Sequence, residues 1–235
     1  SAHDFFLLPE QSVAPAAALR VKATIGSHFP KPEITVAADR IEGLRVRGTG
    51  APQLTVIGSD ATGLNLSIIG AEAGTLVTAV SVKPRDVDYG EDRIPLILEE
   101  YRVAPSALAA IERMGKPRTL RAVSRRMAKA ILCADRCGDL EVAKSPMGDR
   151  FEFVAADGAG TRYRLLLNGR PLGLYPVDLA DPTGKRTQLK TDAKGEVAAP
   201  PAGTGRHMLF AAHMTPPEGE GRYALDLTSL TVDRR

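Results

Sequence analysis

Leu19-Arg20-Val21-Lys22-Ala23-Thr24-Ile25 is the stretch that decides the fold class, because apolar and polar residues alternate along it. Strict alternation is typical of a half-buried strand, whose successive side chains point to opposite faces of a sheet. The same pattern recurs at residues 64–68, 76–82, 163–167 and 223–227. Turn residues separate these runs, as in antiparallel sandwiches. The sequence therefore predicts an all-β chain made of antiparallel β-sandwiches.

Two segments in the middle of the chain depart from this alternation and predict helices. In the first, Ser106 is a candidate N-cap, and the helix ends at Met114, before Gly115 and Pro117. In the second, Thr119 is the candidate cap, and apolar residues recur at spacings of three and four, which is a helical stripe. These residues are Leu120, Val123, Met127 and Ile131.

The polar residues around these helices complete the predicted organisation. The other side of the second helix is interpreted as a solvated basic face, which consists of Arg121, Arg125, Arg126 and Lys129. Residues 84–95 are charged and proline-flanked, and are interpreted as a surface loop. We place a boundary near Gly138. The predicted units are a sandwich at 1–100, a helical connecting segment at 101–137 packed on the first sandwich, and a second sandwich at 138–235.

The composition excludes several functional classes. Of the 235 residues, 43% are hydrophobic and 25% are charged, which allows an ordinary globular core. A formal net charge of +3 is too small and too mixed to indicate nucleic-acid binding. No run of about 18 apolar residues exists, so no transmembrane segment is expected. The absence of Trp argues against an aromatic platform for sugars.

The N-terminus and the cysteines suggest an exported protein. Ser1 and Ala2 are small residues of the kind that precede a signal-peptidase cut, so we expect a mature chain that begins at His3, in the periplasm or otherwise outside the cytoplasm. Cys133 and Cys137 are four residues apart, a separation that a disulfide can span on one helical turn. Disulfides persist in oxidising compartments. We therefore predict a disulfide in an exported chain.

The four histidines are candidate metal ligands. His207 and His213 are six residues apart, roughly 20 Å along a strand, and cannot share one ion. We therefore predict a site formed by His3, His28 and His213, with His207 as a structural or surface residue. Nitrogen-rich sites suit nickel, cobalt or copper. The alternative interpretation is that these histidines are ordinary strand residues.

No sequence motif for catalysis is present, so we predict that the protein is not an enzyme. The sequence contains no Gly-x-Ser-x-Gly elbow, no His-Glu-x-x-His pair and no glycine-rich phosphate loop before a helix. A terminal His3 with a second histidine resembles the copper brace of lytic polysaccharide oxygenases. A copper-dependent oxidase is therefore a minor alternative.

Several short motifs occur in a recognisable order along the whole chain: His3-Asp4-Phe5-Phe6-Leu7-Leu8-Pro9, Gly26-Ser27-His28-Phe29-Pro30, the segments 124–130 and 147–152, and the hairpins at 168–172 and 191–195. This order resembles an envelope family of unknown function, of the DUF4198 type, related to periplasmic components of nickel and cobalt uptake. A Trp expected near the last strands is missing. The resemblance implies an immunoglobulin-like first sandwich and a Cna-B- or transthyretin-like second sandwich.

Two functions follow as hypotheses. The first is a periplasmic accessory protein that binds nickel, cobalt or copper and passes it to an envelope transport protein. The second is a structural or interaction module of the cell envelope that holds no metal, because sandwiches of this kind are commonly spacers.

Overall fold

A computed structural model describes residues 3–234 as an assembly of strands with two short α-helices. The helices are α1 (Ile94–Glu100) and α2 (Pro105–Glu112). The strands are β1 (Asp4–Pro9), β2 (Val13–Ala14), β3 (Leu19–Gly26), β4 (Ile34–Thr35), β5 (Ile41–Arg47), β6 (Gly50–Asp60), β7 (Gly63–Ala71), β8 (Gly74–Gly90), β9 (Thr119–Ala134), β10 (Phe151–Ala155), β11 (Arg162–Leu167), β12 (Arg170–Pro171), β13 (Pro176–Ala180), β14 (Arg186–Lys190), β15 (Glu196–Ala198), β16 (Gly205–Thr215) and β17 (Tyr223–Arg234). Neither helix could cross a membrane. The predicted all-β class is confirmed.

The strands form three sheets. The first sheet has the order β1-β3-β7-β6, with β4 added beside β3. The central sheet has eight strands in the order β14-β13-β16-β17-β9-β8-β5, with β2 beside β9. The C-terminal sheet consists of β10, β11, β12 and β15. Within residues 3–234 all strand pairs are antiparallel except two, because β17 and β2 both run parallel to β9.

The central sheet is buried on both faces and separates the cores. One face packs against the first sheet, through residues such as Leu7 and Leu132, and against the two helices, through residues such as Ile97 and Leu225. The opposite face packs against the C-terminal sheet, with Phe151 among the buried residues. The boundary near Gly138 stays a prediction, although strands from both sides of it share the central sheet.

The second predicted helix is wrong, because residues 119–134 form the long strand β9. Leu120 and Ala122 face the core under the helices, whereas Met127 faces the C-terminal sheet. A strand that is covered on both faces shows no clean alternation of apolar and polar residues. Its apolar residues fell at helical spacing, and this spacing misled the prediction. Lys129, predicted on a solvated face, is only 2% exposed.

Three smaller predictions have mixed outcomes. The helix predicted from Ser106 is confirmed as α2, although it begins at Pro105. Residues 84–95 are not a loop, since β8 continues to Gly90 in register with the start of β9. The disulfide between Cys133 and Cys137 is confirmed, with a Cα–Cα distance of 4.9 Å. It lies at the end of β9 and not on a helical turn.

Candidate functional site

His28 lies in the connection between β3 and β4, and its side chain is 77% exposed. Its Nδ1 atom is 2.7 Å from Oε1 of Glu33, which also accepts a hydrogen bond from the backbone N–H of Ser27. The hydrogen bond to His28 is the main reason that the pKa of Glu33 is lowered. His28 and Glu33 therefore form a pair in which an exposed imidazole nitrogen contacts the oxygen of a carboxylate that is only 20% exposed.

His3 lies at the same end of the first sheet as His28. The register pairs Asp4 with Gly26, so one further step along β1 places His3 opposite Ser27. The carbonyl of His3 accepts a hydrogen bond from Arg126, and its side chain is exposed. Even so, nowhere in residues 3–234 do three His, Cys, Asp or Glu side chains form a group that could hold a metal ion.

His213 belongs to a different part of the protein. Along β16, Phe210 and Ala212 pack toward the helices, whereas Leu209 and Ala211 pack toward the C-terminal sheet. Strand alternation places His213 with the second group. Its ring contacts the rings of Phe151 and Tyr175, at centroid distances of 5.9 and 5.6 Å, and these two rings also contact each other at 6.5 Å. The central sheet thus separates His213 from β1, and the structure does not bring the three predicted ligands together.

The remaining histidine, His207, is 6% exposed, and its Nδ1 atom is 2.9 Å from the carbonyl oxygen of Gly205. This contact joins the ring to the backbone at the start of the same strand. His207 therefore has a structural environment, as predicted.

His213 has a charged neighbour that the sequence did not single out. Its cross-strand partner in β17 is Asp226, which is fully buried. Arg150 donates a hydrogen bond from Nε to Oδ2 of Asp226 at 3.0 Å, whereas Oδ1 of that carboxylate has no hydrogen-bond partner in the described chain. Burial lowers the pKa of His213, and Asp226 opposes this effect. The imidazole is therefore neutral in the folded protein near neutral pH.

The lowered pKa of His213 predicts a loss of stability in acid. The unfolded state binds a proton at His213 near the ordinary pKa of 6.5, while the folded state resists it. Above the unfolded-state pKa of 6.5, His213 is neutral in both states and does not oppose folding. As pH falls from 6.5 toward the lower pKa of the folded state, only the unfolded state binds the proton, and the protein loses stability. We expect the urea midpoint to fall between about pH 8 and about pH 5, and His213→Phe to reduce that fall. An equal fall in His213→Phe would contradict this assignment.

The start of β1 is held by a chain of ion pairs that sequence reasoning missed. Asp4 is 5% exposed and accepts a hydrogen bond from Arg186, which donates a second one to Asp178 at 3.0 Å. Arg102 donates to the other oxygen of Asp178 at 2.5 Å. The guanidinium of Arg186 also lies 5.2 Å from the ring centroid of Phe210. The one sequence signal was Asp4 at the beginning of an apolar strand, because a carboxylate that is buried there requires a charged or hydrogen-bonding partner.

These charges mainly satisfy one another. Burial raises the pKa of Asp4, and the neighbouring Arg186 counteracts part of that effect. A small pocket of about 210 Å³ lies beside the group and is also lined by Ser27 and Tyr101. The arrangement joins β1 to the β13–β14 hairpin and, through Arg102, to the connection between α1 and α2. These ion pairs hold the elements together and have a structural role.

The edge strand of the first sheet has an unusual surface. β6 pairs with β7 alone, so along its other side the backbone N–H and C=O groups have no strand partner in the described chain. Residues 50–59 contain no charged side chain. Val56 and Ile57 on β6 are 37% and 56% exposed, and Ile69 on the adjacent strand is 54% exposed.

The edges of the central sheet differ from β6. The edge strand β14 carries Arg186 and Lys190, and the edge strand β5 carries Glu42, Arg45 and Arg47. Charges of this kind normally prevent a foreign strand from pairing with an edge. Sequence reasoning identified β6 as neither an edge nor a surface feature. The available signal was the uncharged run of residues 50–59, but its position at an edge depends on the whole sheet.

The comparison with protein-family models agrees with the motif resemblance. A family model described as "Domain of unknown function (DUF4198)" matches residues 1–215. Among solved structures, the "D0-D1 domain of Intimin" is 10% identical, with a TM-score of 0.23, over 97% of each chain. No curated protein matches the chain. Because the family model covers most of its length, the protein belongs to the DUF4198 family of domains of unknown function.

Proposed function

We propose that the protein is a non-enzymatic interaction module of the bacterial cell envelope that pairs its edge strand β6 with an extended segment of another polypeptide. The observation that carries this proposal is the uncharged, exposed edge described above. Strand addition to an open edge is a common mode of peptide recognition, in which backbone hydrogen bonds supply affinity.

The local geometry limits the length of the partner strand. Pro52 precedes the open segment, and the β6–β7 register is irregular between Gly50 and Gln53 and again between Val56 and Gly58. Proline and bulges interrupt pairing. The regular edge therefore runs only from Gln53 to Val56, which suits a short extended segment and disfavours open-ended stacking.

The disulfide supports the envelope location within this proposal. Cys133 and Cys137 are joined, and structural disulfides are rare in reducing cytosol. An exported protein would meet partner segments outside the cytoplasm. The absence of charged side chains at residues 50–59 of β6, which would prevent strand pairing, then allows recognition of a partner segment.

Peptide selection tests the proposed interaction. We expect a displayed random-peptide library to yield extended peptides that bind the wild-type protein and bind Thr55→Lys at least about tenfold more weakly. Thr55 is exposed on β6, and a lysine there adds the charge that guards other edges. Gln188→Lys, on the exposed edge strand β14, is the matched control and should bind like wild type. Peptides that bind both variants equally, or no enrichment at all, would overturn the proposal.

A second candidate function is the capture of nickel, cobalt or copper at the beginning of β1. It is favoured by the register that places His3 opposite Ser27, next to the His28–Glu33 pair. An amine and an imidazole at a chain terminus that begins with His3 would add nitrogen ligands to this pair. In this version His213 takes no part, because the central sheet separates it from β1.

Calorimetric titration tests this second function. We expect one Ni(II), Co(II) or Cu(II) ion to bind to protein whose first residue is His3, and His28→Ala to weaken that binding at least about tenfold. His213→Phe serves as the control and should bind the ion like wild type. Unchanged affinity in His28→Ala, or no saturable binding, would remove the metal function and leave the interaction module.

A further inference from the structure

A cleft of about 570 Å³ lies on the outer side of the first sheet. Its lining includes none of the histidines and no member of the ion-pair chain at Asp4, but it includes Ile57 and Gly58 of β6. We call it the outer cleft. Its walls come from the end of β1, the middle of β3, and Ile57 and Gly58 of β6, with Pro32 and Arg206 at its margins. A cavity of this size falls within the range of small-molecule sites.

Arg20 forms no ion pair in this cleft, although Glu10, whose backbone N–H donates to the Arg20 carbonyl at 2.9 Å, also lines it. Its Nη1 atom donates hydrogen bonds to the carbonyl of Leu19 at 3.1 Å and to Oγ of Ser67 at 3.0 Å. Within residues 3–234 its Nε and Nη2 atoms make no hydrogen bond, and no carboxylate lies within ion-pair distance. The neighbouring Lys22, by contrast, is 2.8 Å from the carboxylate of Asp60.

This arrangement fixes the guanidinium in place. Two neutral acceptors hold one nitrogen, so the side chain loses little further freedom when it binds a ligand. The remaining Nε–Nη2 edge has the geometry that holds a carboxylate through two parallel hydrogen bonds. Because Arg20 is half-buried, its charge is only partly solvated, and an anion would compensate that loss.

The rest of the outer cleft is mainly apolar or basic. Leu8, Pro9, Pro32 and Ile57 supply apolar surface, and Ile57 is 56% exposed in the free protein. Among the charged lining residues, Glu10 is the one acid, against three bases. An apolar wall beside a guanidinium that forms no ion pair, in a lining with more bases than acids, is complementary to a ligand with an anionic head and an aliphatic chain.

We propose that the outer cleft binds a monocarboxylate amphiphile. Arg20 holds the carboxylate through Nε and Nη2, and the aliphatic chain covers Ile57. This site is independent of the proposed strand pairing. The cleft lies on the face of the first sheet, whereas a partner strand would pair along the open edge of β6.

Titration with octanoate and its uncharged isostere octanamide tests the site. We expect wild-type protein to bind one octanoate, and octanamide at least about tenfold more weakly. Arg20→Gln should lower the octanoate affinity by a similar factor. Arg170→Gln removes the same charge from an exposed hairpin and should leave the affinity unchanged. Ile57→Glu, which leaves Arg20 intact, should weaken octanoate through repulsion and keep the melting temperature as a check on folding.

Three results would overturn the proposal. The first is equal affinity for octanoate and octanamide, which would remove any role for charge. The second is an octanoate affinity that neither Arg20→Gln nor Ile57→Glu changes. The third is inorganic sulfate that binds as tightly as octanoate, because the apolar wall would then contribute nothing and the cleft would hold an adventitious ion only.

Discussion

Replacing Lys129 with methionine is expected to lower the free energy of unfolding by about 3–5 kcal/mol, the loss typical when one partner of a buried ion pair is removed. Lys129 and Glu152 each expose 2% of their side chains, and the Nζ–Oε2 distance is 2.9 Å. Lys129 also donates to the carbonyl of Phe153 at 2.8 Å. Burial lowers the pKa of Lys129, while Glu152 favours its charged form. Without the lysine, the carboxylate remains buried and uncompensated. Urea denaturation measures the difference.

Two further variants separate the ion pair from simple packing. Glu152 also accepts the backbone N–H groups of Met147 and Gly148, at 2.9 and 3.1 Å. Glutamine at 152 keeps one acceptor oxygen, so it can accept one of these two bonds without burying a charge. Lys129→Met/Glu152→Gln should therefore recover part of the lost stability. Lys22→Met breaks a pair whose side chains are 27% and 47% exposed, and should change stability by at most about 1 kcal/mol. A similarly small loss in Lys129→Met would show that the buried pair does not form.

Lys129 also shows where sequence reasoning fails. It was predicted on the solvated side of a helix, and it lies instead on β9 under the C-terminal sheet. The error has a physical cause, since β17 runs beside β9 in parallel although about a hundred residues separate them along the chain. No local pattern reveals a strand partner at that distance. Central strands with both faces covered lack the alternation on which strand prediction depends.

Where one face of a strand meets solvent, local sequence was sufficient. Residues 19–25 and 163–167 were predicted as strands from alternation, and they lie within β3 and β11. The Asn168-Gly169 turn was also predicted, and both residues adopt the positive φ angles that a tight hairpin requires. These elements depend on neighbours in sequence and on a single buried face.

The candidate sites depended on longer-range information. Alternation along β16 correctly places His207 and His213 on one face of the strand, but it cannot show which layer covers that face. His213 faces the C-terminal sheet, whereas His3 and His28 lie at the start of the first sheet. The edge position of β6 and the lack of an ion pair at Arg20 likewise depend on the order of strands in the sheet. The sequence pattern therefore defines strands more securely than sites.

Replacing Phe6 with alanine is expected to lower the free energy of unfolding by about 3–5 kcal/mol, as for other buried Phe→Ala changes. Phe6 is fully buried, and its ring meets that of Phe29 edge-on at 5.3 Å. It packs in the core under the helices, whereas Phe5, its neighbour, packs between the first and central sheets. One short strand thus contributes to two cores, and a cavity at Phe6 weakens the contact between them.

The matched controls define what this loss means. Phe6→Leu keeps much of the volume and should cost less than alanine. Leu174→Ala, at a side chain that is 64% exposed, should change stability by about 0.5 kcal/mol or less. A loss of this small size in Phe6→Ala would mean that β1 is not docked in solution. A large loss would show that the N-terminal segment, which the sequence marked chiefly as a source of metal ligands, holds the cores together. The proposed metal ligand His3 would then stand directly before a strand whose position is fixed by Phe5 and Phe6.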